Sequence, residues 1–136
     1  MGCRTRVYAN RFGPKTSIGR GNLSFTTINI VKLAIEAMNE ESDKEERIKK
    51  FFQKLDWALD ISARQLNERY EFQKTALKKQ FPLLMNGLWM GSEKLDDNES
   101  IESVINQGTL SICFIGLAKC LIALFSKDQS YNHSFN

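Results

Sequence analysis

The side chains best placed to do covalent chemistry in this sequence are the thiols of Cys3, Cys113 and Cys120, together with one imidazole, His133. None of them has a partner at metal-ligand spacing: there is no C-x-x-C and no H-E-x-x-H, so a metal centre is not expected, and His133 reads as a residue of the polar tail. Cys113 and Cys120 lie seven apart among Ile112, Phe114, Ile115, Leu117, Leu121 and Leu124, where a cysteine packs as a small apolar group. Cys3 differs, because Gly2, Arg4 and Arg6 surround it and neighbouring cations lower a thiol's pKa. The residues alone leave two readings of Cys3 open, a reactive thiol and an incidental terminal one. The glycine-rich stretch Gly13–Asn22 (GPKTSIGRGN) is not a phosphate-binding P-loop, since five residues separate Gly13 from Gly19 and Arg20-Gly21 follows. A hairpin connection accounts for its glycines.

The 136 residues are enough for one domain with a core, and 42% hydrophobic and 26% charged residues are ordinary for a globular chain. The net charge of +3 is unevenly placed. Arg4, Arg6, Arg11, Lys15, Arg20 and Lys32 all precede the first acid, Glu36, so the N-terminal part favours anionic partners. Three irregularly spaced cysteines make no disulfide framework and fit a reducing, cytoplasmic setting. The longest apolar run, Leu110–Phe125, contains Lys119 and is shorter than the roughly 20 residues a membrane span needs.

Local signals divide the chain into residues 1–31, 32–81, 82–125 and a polar tail, 126–136. In the first part, extended runs over Arg4–Phe12 and Leu23–Ile30 predict two strands joined by a loop. A helix is expected from Val31 to Met38. Ile48, Phe52, Leu55, Leu59, Ala63, Leu66, Tyr70 and Leu77 then recur at intervals of three, four or seven, predicting a long helix from Asp43 to Gln80 that Pro82 ends. Phe52, Leu55, Leu59 and Leu66 are expected to be buried on it. A short helix over Ile101–Asn106, a buried strand over Thr109–Ile115 and a helix over Gly116–Phe125 complete an α/β fold richer in helix than in strand.

Several separated segments resemble one family. The run MGCRTRVYANRFG…SIGRGNLSFTTINIVKLAIEA is similar to the cysteine finger-loop region of the anaerobic, glycyl-radical ribonucleoside-triphosphate reductases. NERYEFQK, FPLLMNGLWMGSEKL and GTLSICFIGLAKCL follow in the family's order, so the resemblance covers nearly all of residues 1–125. It implies that the chain is a partial catalytic domain, a fragment of a ten-stranded α/β barrel, inactive alone. It implies that Cys3 matches the cysteine that becomes a thiyl radical and abstracts the ribose 3′ hydrogen, the 2′ hydroxyl then leaving as water. Asn22, in GRGNL, matches a substrate-contacting asparagine. Thr5 stands where oxygen-dependent relatives carry a glutamate, in keeping with the anaerobic class, and Lys119 stands where the family usually has an acid.

The resemblance also implies parts with no counterpart in this sequence. These are a stored glycyl radical made by an S-adenosylmethionine/iron–sulfur activase, ATP and deoxynucleotide effectors, a second active-site cysteine and C-terminal zinc-binding cysteines. The implied partners are a ribonucleoside triphosphate, the activase, formate or a small redox protein as reductant, and a second subunit; neither a membrane nor a nucleic acid is among them. Two readings from other classes remain beside it: a helical protein with a basic arm that touches nucleic-acid phosphate, and a structural coiled coil built on the Ile48–Leu77 stripe.

Overall fold

The computed structural model describes residues 9–125, so Cys3, Thr5 and His133 lie outside the described residues. Within that range the order is β1 (Asn22–Asn29), α1 (Ile30–Glu40), α2 (Lys44–Gln73), two 3₁₀ turns, α3 (Glu102–Ile105), β2 (Thr109–Ile115) and α4 (Leu117–Phe125). The strands form a two-stranded parallel sheet, and helix exceeds strand. The chain makes two compact units: residues 9–26 with 64–111, and residues 27–63 with 112–125.

The second unit is built on close helix packing. Asn29 caps α1 by accepting the Lys32 N–H at 3.2 Å. Ile30, Ala34, Ala37 and Met38 recur on one buried face. Ala34 and Ala37 are completely buried and share a core with Cys120, Ala123 and Leu124 of α4. Gly116 makes the turn from β2 into α4 at φ +86°, and a Cβ there would overlap the side chain of Val31. Arg47 is also buried here, donating to the carbonyl oxygens of Glu41, Ser42 and Leu124.

In the first unit, Met85, Trp89, Leu95, Ile101, Val104 and Ile105 form the core, with Leu23, Tyr70 and Ala76 against it. The indole N–H of Trp89 donates to the Val104 carbonyl at 2.9 Å. A pairing between residues 74–80 and 97–101 frames this core: Ile101 N–H donates to Ala76 O, Lys78 N–H to Glu99 O, and Ser100 Oγ to Lys74 O at 2.6 Å.

That pairing corrects the expected end of the long helix. α2 stops at Gln73, well before Pro82, because Leu77 bridges Ser100 and draws the chain into an extended path. Thirty residues give a helix roughly 45 Å long. Its buried face matches the expected one only in part: Leu66 is buried as expected and Leu55 is half-buried, but Phe52 and Leu59 are exposed and Phe51 is buried instead. The stripe passes through Arg47 and Ser62, polar residues that a count of apolar periodicity leaves out. Two further expectations need correction. Ala9–Phe12 form no strand, their backbone being a bend held by Asn10. Thr109–Ile115 is a strand, but Leu110, Ile112, Phe114 and Ile115 are exposed, since β1 is its one neighbour among the described residues.

Candidate functional site

The strand–loop junction that carries Asn22 also carries a polar cavity of about 650 Å³ in the first unit. Four segments supply its wall: the loop before β1, the start of β1, the C-terminal part of α2, and the stretch from the end of α3 into the start of β2. Asn10, Arg11, Arg20, Asn67, Tyr70 and Asn106 give it its chemistry. Two guanidiniums, three amides and a phenol bind and orient polar ligands, and the absence of a carboxylate from the lining favours an anion.

Local hydrogen bonds hold the wall in place. Asn10 accepts the Phe12 N–H on its side-chain oxygen at 3.0 Å, closing a turn. Arg20 donates from Nε to the Gln107 carbonyl at 2.7 Å and from a terminal nitrogen to the Thr16 carbonyl at 2.9 Å. Gly19 O accepts the Met90 N–H at 2.7 Å, and Gly21 O accepts the Thr109 N–H at 3.0 Å, where the two strands begin to pair. Asn106 Oδ1 is buried at the wall with no partner among the described residues, an acceptor that a ligand N–H or O–H would satisfy.

Asn22 is the first residue of β1 and half-buried. Leu23 lines the cavity and Asn22 does not, as strand alternation requires of consecutive residues. Cys120 is 2% exposed in the core of the second unit, where burial pushes its thiol pKa up and away from reactivity. Cys113 is half-buried in β2. Lys119 is exposed on α4, beside a shallow hollow also lined by Asn29, Lys32 and Glu36. Among the described residues no group of three His, Cys, Asp or Glu side chains is placed to hold a metal ion, and no helix is long and apolar enough to cross a membrane.

Sequence reasoning counted Arg11 and Arg20 as charge and missed Asn67, Tyr70 and Asn106 altogether. These three come from segments about 50 and 90 residues further along the chain, and no spacing rule links them to the loop. The available signal was the quoted segment NERYEFQK, which contains both Asn67 and Tyr70.

A family model described as anaerobic ribonucleoside-triphosphate reductase matches residues 1–135. Among individual relatives, the proteins named anaerobic ribonucleoside-triphosphate reductase from Haemophilus influenzae and Salmonella typhimurium are each 27% identical to this chain over 97% of its length. The protein of that name from Escherichia coli is 25% identical over 98% of the chain. The chain spans 18% of the length of each of these relatives.

Proposed function

The chain belongs to the anaerobic ribonucleoside-triphosphate reductase family, and from that premise we propose that it carries the loop on which ribonucleotides are reduced to deoxyribonucleotides. The observation that supports this reading most is the family match over residues 1–135, which takes in the Cys3 segment, the loop and both strands.

In this reading Cys3 is the radical residue. Its thiyl radical takes the ribose 3′ hydrogen, forming an S–H bond and breaking a C–H bond, and the 2′ hydroxyl takes up a proton and leaves as water. Formate or a small redox protein supplies the two electrons that the reduction consumes. Asn22 contacts the ribose, since an amide can both donate to and accept from its hydroxyls. The electropositive cavity beside β1 takes the anionic part of the nucleotide, with Arg11 and Arg20 facing the charge and Asn106 Oδ1 accepting a hydrogen bond. A glycyl radical made by a separate S-adenosylmethionine/iron–sulfur activase starts the chemistry, ATP and deoxynucleotides regulate it, and the working enzyme is a cytoplasmic homodimer with a barrel catalytic domain.

The test is anaerobic turnover of Cys3→Ser in the full-length reductase, with electron paramagnetic resonance to count glycyl radicals. A serine hydroxyl has nearly the same shape but holds its hydrogen too tightly to exchange roles with a thiol. Cys3→Ser should abolish nucleotide reduction while the glycyl radical still forms. Near-normal turnover would end the assignment of Cys3.

A further inference from the structure

The loop that leads from the Cys3 segment to Asn22 contains no helix or strand between Asn10 and Gly21, so side chains from elsewhere must fix its path. One residue reaches both of its ends. Gln107 Oε1 accepts the Asn10 side-chain N–H at 3.2 Å, and the Gln107 carbonyl accepts Arg20 Nε at 2.7 Å. The other side-chain atom, Nε2, donates to the Met90 carbonyl at 3.1 Å, and Met90 N–H in turn holds Gly19 O. Asn10 is 8% exposed, so its tie to Gln107 is shielded from competing water. Gly13 has its own place in this arrangement: a Cβ there would stand 2.9 Å from both Asn10 Nδ2 and Gln107 Oε1, wedged into the bond between them.

We infer that Gln107 is a positioning residue for the proposed reduction, clamping the loop so that the groups at its two ends are held in register. This rests on the reading of Cys3 and Asn22 given above. Hydrogen abstraction requires reacting atoms about 3–3.5 Å apart, and a displacement of about 1 Å costs on the order of a hundredfold in rate. Gln107 touches no reacting atom in this scheme; it acts through Asn10, Arg20 and Met90.

The experiment uses the full-length reductase, activated anaerobically, with four variants. Gln107→Met keeps the length of the side chain and removes both polar atoms. Gln107→Glu keeps the acceptor for Asn10 and loses the donor to Met90. Gly13→Ala deletes nothing and pries the clamp open. Leu95→Ala, from the core of the same unit, measures what loss of stability alone does. Gln107→Met and Gly13→Ala should each lower kcat about tenfold or more with glycyl-radical yield unchanged. Gln107→Glu should retain several times the kcat of Gln107→Met. The double variant Gly13→Ala/Gln107→Met should be little worse than either single one, because both break the same contact. Unchanged kcat in Gln107→Met overturns the inference, as does an equal fall in Leu95→Ala at a matched loss of thermal stability. A wild-type enzyme that reduces no ribonucleotide overturns the functional reading and this inference with it, so the two failures are distinguishable.

Discussion

Gly116 stands between β2 and α4 at φ +86°, a backbone conformation in which any Cβ is strained, and the space a Cβ would need is filled by Val31. Both costs fall on one substitution. Gly116→Ala should destabilise the fold by about 2–4 kcal/mol, combining left-handed strain with overpacking, as read from the denaturant midpoint. A change within about 0.5 kcal/mol, the range of an ordinary surface substitution, would mean that the turn relaxes freely. The cysteines separate on similar grounds. Cys120 is buried in an apolar core and its pKa is raised by burial, so Cys120→Ser should cost about 1–3 kcal/mol for a hydroxyl placed in that core. Cys113, half-buried, should cost less. The sequence pointed to packing for both thiols because their neighbours are apolar. It pointed to chemistry for Cys3 through the family motif around it, since one sequence holds no other sign of a radical.

At the scale of elements, α2 is where sequence periodicity and structure part. The apolar repeat marks a helix correctly and picks out the buried Leu66, yet it also selects the exposed Phe52 and Leu59 and passes over the buried Phe51. Two residues as similar as Phe51 and Phe52 therefore make a sharp comparison. Phe51→Ala should cost about 3–5 kcal/mol, the value for a buried aromatic, and Phe52→Ala clearly less, because Phe52 is 55% exposed. Equal costs would put the helix in the wrong rotation. The start of α2, at Lys44, falls within one residue of the expected Asp43. Asp43 accepts the Glu45 and Glu46 N–H groups, at 2.9 and 3.1 Å, and its carboxyl pKa is lowered, chiefly by the Glu46 N–H bond. A lowered folded-state pKa stabilises above the unfolded value and is lost as pH falls through the folded one. The stability gap between wild type and Asp43→Ala should thus be widest near neutrality and close in acid, measured as denaturant midpoints across a pH series. A gap that persists undiminished well below the carboxylate range would assign it to helix propensity instead.

For the molecule as a whole, the informative quantity is apolar surface left uncovered. In the second unit Phe52, Leu59, Ile112, Leu117, Leu121 and Phe125 line an open groove of about 460 Å³, and Phe114 is 59% exposed on the strand beside it. From sequence, Thr109–Ile115 reads as buried because continuous apolar strands occur where both faces of a parallel sheet are covered. That pattern is an instruction about surroundings, and a two-stranded sheet supplies few of them. The chain spans 18% of its relatives' length, so the same residues can meet very different surroundings in a longer protein. Surface of this kind promotes association when nothing covers it. Expressed as these 136 residues alone, the protein should therefore self-associate at micromolar concentration and bind a hydrophobic dye, and Phe114→Glu should reduce both. In the full-length reductase the same substitution should act in the opposite direction, lowering thermal stability by placing a charge where apolar cover is needed. Sedimentation of the 136-residue chain and thermal unfolding of the full-length enzyme give the two signs independently. Improvement in both settings would mean that this face is solvent-exposed in the working enzyme, and that its apolar character has a cause other than packing.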